Sequence, residues 1–457
     1  KYYVGLAKEL EKAGAHVLGL KDMAGLLKPA AARKLISTLK EETDLPIHFH
    51  THDTSGAAAA TVLAAVDAGV DAIDAAMDSF SGTTSQPCLG SLAAALRGTE
   101  RDPDLDAKTI REISFYWEAV RTQYRAFESD LRSGASEVYL HEMPGGQFTN
   151  LKEQARSLGL ESRWHDVAQT YSDVNDMFGD IVKVTPSSKV VGDMALAMVS
   201  SGLSRADVED PNRDVSFPDS VVGFFAGDLG QPPNGFPKAL QDKVLKGKKA
   251  LDKRPGAYLE PVDLEAKRKE IEEITELEID DFRLASYLMY PKVFTEFMAA
   301  QKTYGPTSVI PTPAYFYGLE AGDELLVDLE KGKTMVIQLV GQSKPNDKGM
   351  VRVFFELNGQ PRTVAVPDRS MASEIVARPK AEVGNANHVG APMPGVVSTL
   401  AVKAGQEVQA GDVLLSIEAM KMETAIHAEN DGTIAEIFVK PGDQIDAKDL
   451  LVRFEGE

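Results

Sequence analysis

Cysteine, excess positive charge and long apolar runs are what this chain lacks. Its one cysteine, Cys88, excludes an internal disulfide and fits a reducing compartment. The formal net charge is −20, with 49 Lys and Arg against 69 Asp and Glu. That balance removes the basic footprint on which nonspecific nucleic-acid binding depends. No apolar stretch reaches the ~18 residues of a membrane span, and no secretory signal heads the chain. The absences point to the cytoplasm, with the mitochondrial matrix as the alternative, and to no nucleic-acid or membrane partner. The chain opens on Lys1 inside a helical pattern and without Met, which reads as an excerpt boundary. Hydrophobic residues nevertheless make up 43% of the 457, enough for sizeable cores. At ~100–200 residues per domain, three or four domains are expected.

What is present is most distinctive near the end. The segment from Gly395 to Glu418 repeats from Gly432 to Glu455 at an offset of 37 residues. Gly395, Val402, Lys403, Gly405, Ala410, Asp412, Leu414 and Glu418 find identical partners at Gly432, Val439, Lys440, Gly442, Ala447, Asp449, Leu451 and Glu455. Both copies read as short Val/Ile/Leu-rich strands punctuated by turns, and two such half-units predict one small two-fold β-barrel. Between the copies lies Glu418-Ala419-Met420-Lys421-Met422. Alone, Lys421 reads as a surface lysine beside two core methionines. Between half-domain repeats, flanked by Met420 and Met422, it resembles the modified lysine of the biotin-carrier domains of biotin-dependent carboxylases. That resemblance implies biotin in amide linkage to Lys421. Lipoyl domains have a similar fold, but there the modified lysine usually follows Asp.

Residues 1–98 alternate helix and strand: a helix over Leu6 to Ala13, strands over Ala15 to Leu20, Leu45 to His52 and Val70 to Met77, helices over Pro29 to Glu42 and Gly56 to Ala68. Apolar strands alternating with helices imply parallel βαβ units. Three units are too few to close an eight-stranded barrel, so either the sheet is open or earlier strands lie upstream. Residues 99–304 are mostly helical, with an acidic amphipathic run from Val262 to Phe282 that reads as a solvated face. Residues 305–368 carry four short strands, Glu324–Leu329, Thr334–Val340, Met350–Leu357 and Arg362–Val366, which predict a small antiparallel module. Residues 369–387 read as a linker and 388–457 as the carrier. The fold class is multidomain α/β.

Two features of the first region carry chemistry. Strand alternation places His48, His50 and His52 on one face. His50 and His52 sit at the C-terminal end, where parallel barrels gather their chemistry, and two imidazoles at i and i+2 can ligate one metal. His48 reads as a core histidine or a group supporting the other two. Lys21 ends the first apolar strand. Desolvated at a barrel mouth, it would favour a neutral amine, and neutral amines take up carbon dioxide as carbamates, which can ligate a metal. The plainer reading pairs Lys21 with a nearby carboxylate. Thr185, before Pro186, reads locally as a turn starter or helix N-cap.

The runs Lys21-Asp22-Met23-Ala24-Gly25, Pro46 to Gly56, and Glu142-Met143-Pro144-Gly145-Gly146-Gln147 with Thr149-Asn150-Leu151 resemble the carboxyltransferase domain of the pyruvate carboxylase family. The resemblance spans essentially the whole chain. It implies a (β/α)8 barrel of the TIM type, of which 1–98 is the C-terminal portion, with 99–304 as its helical extension. It further implies a tetramerisation-linked allosteric module at 305–368 and a flattened biotinyl barrel at 388–457. It makes Lys21, carbamylated, with His50 and His52, ligands of one divalent metal, zinc or manganese. A fourth ligand, an aspartate, and the pyruvate-holding arginine and glutamine have no counterpart in this sequence. Thr185 becomes a proton relay between pyruvate and biotin. The implied reaction is transfer of the carboxyl group from carboxybiotin to pyruvate, giving oxaloacetate. Biotin carboxylation with ATP, Mg and bicarbonate would belong to an N-terminal domain absent here. Implied partners are a homotetramer whose carrier visits a neighbouring subunit, a biotin protein ligase and an acetyl-CoA effector.

Two rival readings follow from the same residues. One is the α-subunit of a biotin-dependent oxaloacetate decarboxylase, which has a long Pro/Ala-rich linker where this chain has the 305–368 module. The other is a non-catalytic carrier or assembly protein. Carrier travel also sets an expectation for the linker. Nineteen flexible residues span roughly 25 Å root-mean-square and at most about 65 Å extended. The linker should then be unpacked, and the carrier's contact with the rest of the chain small and polar.

Overall fold

Apolar positions at helical spacing on one side of each early helix, and at every second position of the strands between, fix the first layer. The computed structural model describes all residues except 347–348, 369–378, 383–384, 386, 420–421 and 456–457. After α1 (Tyr2–Lys12), strand β1 (Leu18–Asp22) pairs in parallel with β2 (Ile47–Thr51), which pairs in parallel with β3 (Ala72–Ile73). α2 (Pro29–Glu42) starts with Pro29 at its first turn and buries Ala32, Ile36 and Leu39. With α3 (Ala58–Asp67) it covers the sheet face carrying Ile47 and Phe49, so that Ile36, Leu39, Ile47, Phe49 and Val62 share one core. β3 is far shorter than the predicted strand, because only His48 and Phe49 pair with it before the chain turns toward an isolated bridge between Ala76 and Cys88. α4 (Leu89–Leu96) and α5 (Ala107–Gln123) follow.

A helical layer comes next: α6 (Val138–His141), α7 (Gly145–Ser157), α8 (Trp164–Met177), α9 (Ser187–Ser201), α10 (Arg205–Glu209), α11 (Asp219–Ala226) and α12 (Lys238–Leu245). α9 is buried nearly all round, which makes it the axis of that layer. No helix among the described residues is long and apolar enough to cross a membrane.

The chain divides into two compact units, Lys1–Tyr258 together with Arg378–Glu457, and Leu259–Ala377. In the second, α13 (Leu264–Thr275), capped by Asp263 accepting from Ala266 N, packs with α14 (Asp281–Met289) and α15 (Pro291–Tyr304) around Ile271, Ile279, Leu284, Phe294 and Met298. α16 (Thr312–Tyr317) leads into an antiparallel meander, β4 (Glu324–Glu330), β5 (Lys333–Gln342), β6 (Met350–Leu357) and β7 (Gln360–Pro367), in sequential order.

The last segment returns to the first unit as two four-stranded sheets. Its strands are β8 (His388–Gly390), β9 (Gly395–Leu400), β10 (Glu407–Val408), β11 (Val413–Ala419), β12 (Met422–His427), β13 (Gly432–Ile437), β14 (Gln444–Ile445) and β15 (Leu450–Phe454). The sequence repeat maps onto β9–β11 and β13–β15. The halves exchange their short strands: β10 of the first half pairs with β13, and β14 of the second pairs with β9. Each sheet is therefore built from both halves, and neither half closes alone.

Two expectations about this segment change. Of the stretch read as a linker, the described residues Pro379 to Glu382 are held to the carrier: Leu450 N donates to Pro379 O, Ala381 N to Lys448 O, and Lys380 Nζ lies 2.7 Å from Asp449 Oδ1. Extended backbone with open donors finds acceptors along the β14–β15 turn, so the free length is shorter than nineteen residues. Nor is the carrier's contact purely polar. Met393 and Ala419, 3% and 5% exposed, are buried in the core of the helical layer, and β12 lies against α11. Burial raises the Asp219 carboxyl on α11 above its ordinary range, Glu423 on β12 pushes it the same way, and His427 opposes them.

Candidate functional site

Alternation along β2 leaves Ile47, Phe49 and Thr51 buried against the helices and turns His48 and His50 to the other, more open face. β3 is registered so that His48 faces Ala72 and Phe49 faces Ile73, which brings Asp74 beside His50. Asp74 joins the two histidines: His48 Nε2 donates to Oδ1 and His50 Nδ1 to Oδ2, each at 2.7 Å. Burial alone would raise the Asp74 carboxyl, but these two hydrogen bonds outweigh it and hold it below the usual range. His48 is thus neither a core histidine nor free; it helps to orient the carboxylate that orients His50. Asp74 went unread in the sequence, although it sits inside the third apolar run, Val70 to Met77.

His52, 8% exposed, follows the strand and donates from Nδ1 to the Thr84 carbonyl at 2.6 Å. The two Nε2 atoms of His50 and His52 then face each other at 3.2 Å. Both Nδ1 atoms meet pure acceptors, so both carry a proton, and the remaining ring nitrogens, the two Nε2 atoms, point at each other. Such an arrangement is repulsive unless a proton or a cation lies between, and two imidazole nitrogens suit a borderline divalent ion. Burial lowers the His52 pKa; the Thr84 hydrogen bond raises it, and His50 lowers it again.

Two glycines let the backbone close on this pair. A Cβ on Gly145 would lie 2.7 Å from both His52 Nδ1 and Thr84 O, so α7 begins directly against their hydrogen bond. A Cβ on Gly25 would lie 2.2 Å from the His52 carbonyl oxygen, and Gly25 has φ +71°. Gly145 N donates to Met23 O at 2.8 Å, which sews the start of α7 to the loop after Lys21.

Lys21 is paired in register with His50, which places it on the histidine face. Its neighbour Asp22 points the other way, accepting from Leu26 N, Leu27 N and Thr51 Oγ1. The expected desolvation is not found: Lys21 is exposed, since β1 is the edge of the sheet among the described residues. The pairing with a carboxylate is not found either. Among the described residues no three His, Cys, Asp or Glu side chains assemble as a metal set; what they hold is two imidazoles with Lys21 beside them.

Thr185 is exposed and does not cap a helix: α9 starts at Ser187, with Pro186 at the cap and no side-chain cap bond. The turn is closed instead by Ser187, whose Oγ accepts from Val184 N and donates to Val182 O. Lys421 lies outside the described residues. Its frame does not: β11 and β12 pair through Ala419 and Met422.

The turn before Gly145 is built on His141, 3% exposed and stacked on Phe148. Met143 N donates to His141 Nδ1 at 3.0 Å, which puts the ring proton on Nε2. Burial pushes the His141 pKa down to about 4. Between pH 6.5 and 4 the unfolded chain therefore takes up a proton that the folded chain refuses. Stability from this group is complete above pH 6.5 and falls by about 3 kcal/mol as the pH drops to 4. His141→Asn retains an acceptor for Met143 N, and the gap between its unfolding midpoint and that of the parent is expected to narrow steadily from pH 7 to 4.5. A gap independent of pH would refute the buried neutral imidazole.

Residues 1–116 match the HMGL-like family profile, residues 138–338 a conserved carboxylase domain, and residues 387–454 a profile described as biotin-requiring enzyme. The chain is 50% identical over 433 residues to pyruvate carboxylase of Bacillus subtilis, covering 95% of this chain and 38% of that protein. It is 46% identical over 437 residues to mitochondrial pyruvate carboxylase of Homo sapiens, covering 95% and 37%. The crystal structure of the complete multifunctional pyruvate carboxylase from Rhizobium etli is similar with a TM-score of 0.75 at 69% identity, covering 99% of this chain and 42% of that one. The carboxyl transferase domain of the same enzyme, with pyruvate and biocytin, gives 0.76 at 70% identity over 80% of this chain and 62% of that one. The chain thus spans less than half the length of these full-length relatives. By sequence and fold together, it belongs to the pyruvate carboxylase family.

Proposed function

We propose that this chain is the carboxyl-transfer and carrier portion of a biotin-dependent pyruvate carboxylase, which converts pyruvate to oxaloacetate. The observation that carries the reading is the pair of Nε2 atoms held 3.2 Å apart by partners on both Nδ1 atoms. Lys21 as a carbamate, His50 and His52 would hold one divalent ion, zinc or manganese, and Lys421 would bear biotin in amide linkage. When bound, the ion supplies Lewis acidity and biotin the transferable carboxyl group. The chain's own groups do the positioning. Asp74 and Thr84 O fix the two rings in one tautomer, in the way that outer partners orient metal-bound histidine. Lys21 has no carboxylate partner among the described residues, which leaves its amine open to carbamylation. Thr185 Oγ1, able to donate and accept at once and with no partner of its own among the described residues, would move a proton between the pyruvate methyl group and biotin.

In this reading 1–98 is an arc of a (β/α)8 barrel, 99–304 its helical extension, 305–368 an allosteric and tetramerisation module, 369–387 the linker and 388–457 the carrier. ATP-dependent carboxylation of biotin from bicarbonate belongs to a domain outside this chain. Homotetramer formation, a biotin protein ligase and an acetyl-CoA effector complete the proposal.

Thr185→Ala tests the reaction. In full-length protein, oxaloacetate formation is expected to fall ~10²–10⁴-fold, the usual effect of losing a positioned proton-transfer group. Metal content and melting temperature should stay nearly unchanged, because Thr185 caps nothing. Normal turnover would remove Thr185 from the mechanism.

A further inference from the structure

The imidazole pair and Thr185 come from different layers, and one ion pair connects their surroundings. On the histidine side, the start of α7 is pressed against the bond between His52 and Thr84 O at Gly145. Two of the residues before it, Glu142 and Met143, are held by local contacts and backbone geometry. Met143 is fully buried, its amide is fixed on His141, and Glu142 adopts the left-handed conformation with φ 55°. That conformation turns Glu142 out of the turn, where its Oε2 accepts from Lys183 Nζ at 2.8 Å. On the other side, Lys183 lies two residues before Thr185. Its side chain is 11% exposed, whereas that of Glu142 is 45% exposed.

The remaining hydrogen bonds of 182–185 stay local. Ser187 closes on Val182 and Val184, and Ser188 N donates to Val184 O. Val182, Val184 and Thr185 are exposed. Among the described residues, the Lys183–Glu142 pair is therefore the side-chain link from the threonine loop to the turn that backs His52. A largely buried lysine charge needs its counter-charge, so the link also has a strong reason to stay closed.

We infer that Glu142 and Lys183 are positioning residues: their ion pair sets where Thr185 stands relative to the two imidazoles. The inference rests on the proposed relay role of Thr185 and deepens it. A hydroxyl displaced by about 1 Å from its reacting partner loses up to ~10²-fold in rate, so the link acts on the chemical step and not on binding.

The test uses full-length biotinylated protein with three variants. Lys183→Met keeps the side-chain volume and leaves only the half-exposed Glu142 unpaired, so folding should persist. Lys183→Arg keeps the ion pair. Lys183→Met with Thr185→Ala reports coupling. The expected result is a ~10- to 100-fold lower kcat for Lys183→Met, with KM for pyruvate and metal content unchanged and Lys183→Arg close to the parent. The double variant should be no slower than Thr185→Ala alone, because both changes disable one group. Parental kcat in Lys183→Met, or a multiplicative loss in the double variant, would overturn the positioning role while leaving the relay intact. Parental kcat in Thr185→Ala would overturn the relay itself, and the positioning role with it. Loss of metal from Lys183→Met would assign the pair to the structure of the metal site and also overturn the inference.

Discussion

Full-length protein carrying Lys421→Arg is expected to bind no streptavidin and to form no oxaloacetate from pyruvate, while keeping its metal and its melting temperature. The reason is chemical. An amide needs a nucleophilic amine, and a guanidinium stays protonated and delocalised at every accessible pH. The fold gives no reason for collapse, because the core beneath the β11–β12 hairpin consists of Leu414, Leu415, Ile417 and Ile426 with their partners from the other half-repeat. Intact mass and streptavidin blotting of protein made with a biotin ligase provide the readout. Streptavidin binding that survives the substitution would place the modified lysine elsewhere.

The double substitution His50→Ala with His52→Ala is expected to bring bound metal from one ion per chain to background and to abolish oxaloacetate formation. Biotinylation of Lys421 should be untouched. His50 projects from the sheet face opposite the Ile36–Phe49–Val62 core and His52 lies just beyond the strand, so thermal unfolding should change little. Asp74→Asn provides a graded companion. It leaves both ligands but weakens the carboxylate that orients His50, and loss of such a partner typically costs 10- to 100-fold in metal affinity. Elemental analysis after dialysis measures both, and metal content unchanged in the double variant would move the site.

Which parts of this arrangement could be read from the sequence follows from how local their causes are. The repeat gave the strands of the carrier, since β9–β11 and β13–β15 begin at positions 37 residues apart. It did not give the exchange of β10 and β14 between sheets, because a repeat records similarity and not pairing. The alternation around His48 and His50 was local and therefore visible. Asp74 depended on the register of β3 against β2, a nonlocal choice. Thr84 was invisible for a different reason: it acts through its carbonyl, which every residue carries. Gly25 and Gly145 stood inside legible motifs, but the His52 backbone and ring that exclude a Cβ there come from a third segment. Thr185 was misread locally as an N-cap because Ser187 closes the same turn with a better-placed hydroxyl.

Seating Met393 and Ala419 in the helical core gives the last segment an apolar anchor on the first unit. Lifting the carrier off returns the Met393 side chain to water, at about 1.5–3 kcal/mol for a fully buried methionine. Released at the undocking barrier, that difference lengthens the stay by roughly ten- to a hundredfold and barely alters the rate of encounter. Methionine suits this task because its unbranched thioether fits an irregular seat without demanding one orientation. For a carrier that leaves this seat and returns to it, a contact of this size would set the dwell time.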